Sequence, residues 1–114
     1  MTNRNKAKGS RWEARVRDYL SDALRTRVER IPAGAQHDRG DLSGIPGMAV
    51  ECKDVARMDL AGWVDEATDE ALNVGGGTLP VVIHKRRGKG TSLGYVTMPL
   101  WAFAELLKRD GSGG

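Results

Sequence analysis

At 114 residues, with 39% hydrophobic and 29% charged residues, the chain is sized for one globular domain with a single modest core. No apolar run approaches the ~20 residues that span a bilayer, no signal-peptide pattern opens the chain, and one cysteine leaves neither an intramolecular disulfide nor a Cys/His zinc cluster; the expected setting is a reducing cytoplasm, away from membranes. The net charge of +3 is unevenly spread, with Arg4, Lys6, Lys8 and Arg11 near the start and Lys85, Arg86, Arg87 and Lys89 in a second cluster, which suits a polyanion such as nucleic acid but is also what solvated tails and loops look like.

Residues 1–8 are basic and without periodicity, and read as a flexible arm. From Gly9 to about Thr26, Trp12, Val16, Tyr19, Leu20, Ala23 and Leu24 recur at helical spacing. Ser10 is the expected N-cap, and Glu13 three residues on completes a capping-box pattern. Val28 to Ile31 reads as a short strand and 33–40 as a loop of small and polar residues. Asp41 to Ile45 and Met48 to Lys53 read as strands joined tightly through Ile45-Pro46-Gly47, an antiparallel hairpin. Asp59 caps a second helix running to about Val74, with Leu60, Trp63, Val64, Ala67, Ala71 and Leu72 along one side. Gly75-Gly76-Gly77 then stops it; a phosphate-cradling role is the weaker reading, because a strand rather than a helix follows. Leu79 to His84 is an apolar, β-branched strand, followed by the basic loop and a strand from Gly94 to Met98. Pro99 opens a last helix through Lys108 that buries Leu100, Phe103, Leu106 and Leu107. Residues 9–109 thus form one domain, 110–114 a flexible tail, and the order α-β-β-β-α-β-β-α is that of a mixed α/β protein with helices flanking a central sheet.

The most informative stretch is Met48-Ala49-Val50-Glu51-Cys52-Lys53. Alternation along a strand puts Glu51 and Lys53 on one face and Met48, Val50 and Cys52 on the other. The second set suits a core, with Cys52 structural rather than nucleophilic. The first sets an acid beside an amine, ten residues beyond Asp41. Hard oxygen donors gathered this way suit Mg²⁺, and a lysine beside such an ion can orient or deprotonate a water or offset charge growing on a phosphate. The plainer alternatives are a solvated ion pair for Glu51 and Lys53 and a simple helix-dipole acid for Glu13.

Three stretches, Lys8-Gly9-Ser10-Arg11-Trp12-Glu13, Arg39-Gly40-Asp41-Leu42 and Val50-Glu51-Cys52-Lys53, occur in an order and within an element pattern that resembles the PD-(D/E)xK nuclease superfamily. Within it the chain looks most like the small Holliday-junction resolvases of archaeal and phage type, over about residues 8 to 107. No proline precedes Asp41; Gly40 stands there. Asp38 is a rival acid, set in the loop rather than at a strand mouth.

The resemblance implies a restriction-endonuclease-like core and a Mg²⁺-dependent endonuclease, with Mn²⁺ able to substitute, that hydrolyses phosphodiester bonds in branched DNA during recombination and repair. It implies that Asp41, Glu51 and the Cys52 carbonyl hold the ion, that Glu13 reaches it directly or through a water, and that Lys53 orients the attacking water or stabilises the transition state. Lys8, Ser10, Arg11 and Arg39 are candidate DNA contacts in the matched stretches, and Lys85, Arg86, Arg87 and Lys89 are expected on the DNA backbone. His37 and His84 are less informative. Trp12 and Trp63 lie on apolar helix faces, where core packing or a partner surface is expected rather than base stacking. A four-way junction has two equivalent strands to cut, so a homodimer is expected, with Leu60, Trp63 and Val64 as a candidate interface. Two alternatives remain open: a nicking, restriction-type or flap nuclease of the same superfamily, and a non-catalytic nucleic-acid-binding protein with this fold.

Overall fold

The structure, a computed structural model, describes residues 3–32 and 40–110, with side chains from residue 7 onward. Helix α1 spans Asn3–Leu24, strand β1 Glu29–Arg30, β2 Leu42–Ser43 and β3 Met48–Lys53. Helix α2 spans Leu60–Val74 and β4 Leu79–His84; a 3-10 turn at Thr91–Leu93 precedes β5, Tyr95–Thr97, and α3 runs Leu100–Arg109. The result is an α/β protein with a five-stranded mixed sheet in the order β1-β2-β3-β4-β5 and three helices. Neighbouring strands are antiparallel except β3 and β4, which run parallel with Glu51 opposite Val82 and Lys53 opposite His84. Parallel neighbours need a crossover, and α2 supplies it.

Strand β3 is buried through Ala49, Val50, Glu51 and Cys52, so both of its faces are covered. On one face Val50 and Cys52 join Trp12 and Val16 of α1, together with Val28, Leu42 and Val81. On the other, Trp63 and Ala67 of α2 pack on Val82. The Trp12 indole N–H donates to the Ile83 carbonyl (3.1 Å), which satisfies the buried donor and ties α1 to β4. The face that carries Glu51 and Lys53 is therefore roofed by α2 rather than solvated.

Four expectations change. The first helix begins at Asn3 rather than Gly9, because Arg, Lys and Ala are good helix formers and propensity can extend a helix without apolar periodicity. Ser10 consequently lies within α1 and is not its N-cap, which removes the capping box with Glu13. The Asp41–Ile45 strand shortens to Leu42–Ser43. In α3, Leu100, Phe103 and Leu107 face outward, Leu100 at 82% exposure, while Ala102 is fully buried. Small Ala102 permits close approach to the sheet, and Arg109 on the same side donates to the Gly47 and Gly77 carbonyls, holding the helix in that rotation. Asp59, by contrast, caps α2 as expected, its carboxylate accepting from Gly62 N–H. The loop residues His37, Asp38 and Arg39, and the tail after Asp110, lie outside the described residues.

Gly40 explains the missing proline before Asp41. Its φ is +103°, which proline's ring forbids, and a Cβ there would stand 2.7 Å from the Val50 carbonyl oxygen. Gly40→Ala should therefore lower stability by about 1–3 kcal/mol, read as a fall in the urea midpoint at unchanged m-value.

Candidate metal and phosphate site

Asp41 stands at the mouth of β2 and spans the strand beside it. Its N–H donates to the Val50 carbonyl (2.7 Å), and its Oδ2 accepts from Cys52 N–H (2.7 Å). Backbone and carboxylate thus bracket Glu51 from either side. Because N–H and C=O of one strand residue point to the same edge, the Cys52 carbonyl is directed toward Asp41 as well. Glu51 itself points under α2, where its carboxylate meets two acids that sequence reasoning did not select: ligand oxygens of Glu51, Glu66 and Glu70 all lie within 4.8 Å of one another. Lys53 closes the group, its Nζ 2.8 Å from Glu66 Oε1 and 3.6 Å from Glu51 Oε2.

Glu66 and Glu70 left a trace in the sequence. They are four residues apart on α2 and flank the stripe Trp63, Ala67 and Ala71, so one of them had to sit near the buried seam. What the pattern could not supply is which strand lay beneath.

The electrostatics follow from this crowding. Burial raises Asp41 to about 6, with the charges of Glu13 and Glu66 adding to the rise and the Cys52 N–H and Lys53 opposing it. Glu51 is pushed far above the carboxylate range by burial first, then by its hydrogen bond with Glu70 and the charge of Asp41. Burial works against the Lys53 ammonium, yet the hydrogen bond to Glu66 and the charge of Glu51 outweigh it and hold its pKa above the ordinary value. The two acids thus favour the charged form of Lys53. Burial also pushes the Cys52 thiol up, which agrees with its reading as a core residue.

Glu13 has a partner of its own. Arg30 of β1 reaches back to α1, donating to Glu13 Oε1 (3.3 Å) and to Ser10 Oγ (2.7 Å). Glu13 still acts on Asp41 through its charge. The cluster of metal-type oxygens is thus centred on Glu51, Glu66 and Glu70, with Asp41 beside it and Glu13 farther out. Glu66 and Glu70 thus stand beside the expected set of Asp41, Glu51, the Cys52 carbonyl and, directly or through a water, Glu13.

A divalent cation fits these residues. All the side-chain donors are hard oxygens, three carboxylates converge, and Glu51 Oε1 is buried with no hydrogen-bond partner among the described residues.

The basic residues divide. Lys8 lines a cleft with Gly9 and residues 52–57, so it stands beside Lys53. Lys85 and Arg87 approach Asp54, Arg86 lies over the Tyr95 ring (5.9 Å), and Arg11 and Lys89 are exposed. His84 belongs to the interior: burial lowers its pKa, its Nε2 pairs with Thr97 Oγ1 (2.8 Å), and Trp63 and Tyr95 flank its ring. Of the residues expected at an interface, Trp63 is buried, Val64 is half-buried and Leu60 is exposed. No helix among the described residues is long and apolar enough to cross a membrane.

Comparison with known protein families, with curated proteins and with solved structures finds no match to this chain.

The raised carboxylates set a pH dependence with a definite sign. A carboxyl whose folded pKa lies above its unfolded value favours the fold below the unfolded pKa and loses that advantage as pH rises through the folded one. Metal-free protein should lose stability between about pH 4 and 7, by an amount on the order of 1–2 kcal/mol from Asp41 after discounting its partial exposure. Millimolar Mg²⁺ should restore the melting temperature near pH 8 and do little near pH 5. Glu51→Gln should raise the metal-free melting temperature at the higher pH and abolish most of the Mg²⁺ response, all readable by calorimetry.

Proposed function

We propose that this protein is a metal-dependent DNA endonuclease with a restriction-endonuclease-like core, hydrolysing phosphodiester bonds in branched DNA in the manner of a Holliday-junction resolvase. The observation that carries the reading is the convergence of Asp41, Glu51 and Lys53 at the adjoining ends of two strands, with Glu51 Oε1 buried and without a hydrogen-bond partner among the described residues. An isolated solvated ion pair would not need such burial, and a buried acid without compensation is costly. Glu66 and Glu70 extend the acidic group.

In this reading Asp41, Glu51 and the Cys52 carbonyl hold Mg²⁺, or Mn²⁺ in its stead, with Glu66 or Glu70 completing the set. Such an ion would lower the pKa of a bound water and polarise a phosphate oxygen. The chain's own residues do the remainder. Lys53, held charged by Glu51 and Glu66, donates to the phosphate oxygens as negative charge grows on them, while water attacks phosphorus and the 3′-oxygen leaves opposite. Arg30 restrains Glu13 and Ser10 at the rim. Lys8, Arg11, Lys85, Arg86, Arg87 and Lys89 offer phosphate contacts that position DNA without reading bases. Two symmetry-equivalent strands in a four-way junction call for a two-fold dimer. The outward stripe Leu100, Phe103 and Leu107, with Trp101 beside it, is an apolar surface consistent with one. Activity on junctions would belong to a cytoplasmic recombination or repair process.

Cleavage assays on a synthetic four-way junction, a flap and a linear duplex, with Mg²⁺ and with chelator, test the reading. Paired nicks in the junction, dependent on metal, are expected. Asp41→Asn, Glu51→Gln and Lys53→Ala should each reduce the rate by about 100-fold or more. Undiminished cutting by these variants would overturn the site. Equal rates on all three substrates would point to a nicking or flap enzyme, and DNA binding without any cleavage to a non-catalytic protein.

A further inference from the structure

Asp54 directly follows Lys53, and its side chain is only 2% exposed. Among the described residues, the two cations that approach it come from one segment, the basic loop after β4. Lys85 Nζ is 3.9 Å from Asp54 Oδ2, and Arg87 Nη2 is 3.7 Å from Asp54 Oδ1. The backbone reinforces the contact, because Lys85 N–H donates to the Lys53 carbonyl (3.0 Å). Parallel pairing of Lys53 with His84 explains the meeting: the two chains leave the sheet side by side at the same end, so the next residue of each, Asp54 and Lys85, emerge as neighbours.

A buried carboxylate is costly unless compensated, so the loop cannot swing away without stranding Asp54. The contact leaves Arg87 55% and Lys85 24% exposed. At 3.7 and 3.9 Å neither cation is within hydrogen-bonding distance of Asp54, so the contact is an ion pair that leaves their donors for a ligand. The same end of the sheet holds the cleft lined by Lys8 and by Lys53 to Arg57.

We propose that Asp54 is a positioning residue that pins the loop from Lys85 to Lys89 beside Lys53, so that Lys85 and Arg87, at the end of the sheet that also holds the cleft lined by Lys8 and Arg57, form a preformed binding face for the phosphate backbone of a nucleic acid. The ligand rests on the nuclease reading; the pinning rests on geometry alone. The proposal has a sign that simple electrostatics does not share. Removing a negative charge next to a polyanion site should tighten binding by Coulomb's law, whereas freeing the loop should weaken it.

The test compares wild type, Asp54→Asn, Arg87→Gln and the double variant in chelator, so that no cleavage intervenes. Limited trypsin digestion reads the loop, since Lys85, Arg86, Arg87 and Lys89 are all cleavage sites. Fluorescence anisotropy with labelled junction DNA over a salt series reads the ligand. Asp54→Asn should be cut in the loop at least about 5-fold faster, bind DNA about 5-fold more weakly, and lose about one unit from the slope of log K against log salt. The double variant should bind no worse than Arg87→Gln by the product of the two single losses. Arg87→Gln keeps the buried acid and reads the clamp from its other side, by faster cutting after Lys89, if Asp54→Asn does not fold. Unchanged digestion in these variants, or tighter DNA binding by Asp54→Asn, overturns the proposal. Wild-type protein that binds no DNA overturns the nuclease reading and the assigned ligand, while digestion still decides the clamp.

Discussion

The carboxylate of Glu51 is carried into the interior by a strand covered on both faces, and α2 brings Glu66 and Glu70 against it. In a medium of low dielectric, like charges so close cannot all remain ionised with one ammonium, Lys53, in contact with them among the described residues. Either protons or a cation must make up the difference. That requirement shapes the whole site: it lifts Glu51 and Asp41, keeps Lys53 charged, and leaves Glu51 Oε1 buried without a hydrogen bond among the described residues. Structures tolerate such frustration at functional positions, where the stabilisation is recovered on binding.

The backbone supports this arrangement by means of a few local choices. Gly40 adopts a left-handed conformation closed to proline, which lets the chain press on Val50 and turns Asp41 into the adjoining edge. Asp41 then uses its carboxylate on Cys52 N–H, an anchor that orients it even in the absence of any ion. On the other side of β3, parallel pairing with β4 delivers Lys53, Asp54 and the basic loop to one end of the sheet. Sites at the carboxyl ends of parallel strands are a general consequence of this topology, since successive loops gather there.

The helices divide the remaining tasks. Helix α1 contributes Trp12 and Val16 to one core and presents Ser10 and Glu13 to Arg30 at the rim. Helix α2 contributes Trp63 and Ala67 to the other core and two acids to the site. Helix α3 contributes least to the interior, burying Ala102 and turning its large apolar residues outward. Such a stripe, at one margin of a small chain, is the part of the surface that isolated-monomer energetics does not account for.

Much of this was legible in the linear chain. The element order, the six residues of β3, the six of β4 and the Asp59 cap of α2 followed from alternation, apolar runs and capping chemistry, which are local properties. So did the separation of Glu51 and Lys53 from Val50 and Cys52, because a period of two needs no partner to be read. Tertiary contacts alone decided that the Glu51 face is covered, that Glu66 and Glu70 rather than Glu13 crowd that carboxylate, that Ser10 serves Arg30 instead of a helix end, and that α3 turns its leucines outward. Each of these depends on which element lies across from which, through contacts between residues far apart in the chain. Periodicity states which residues share a face; only packing states what that face meets.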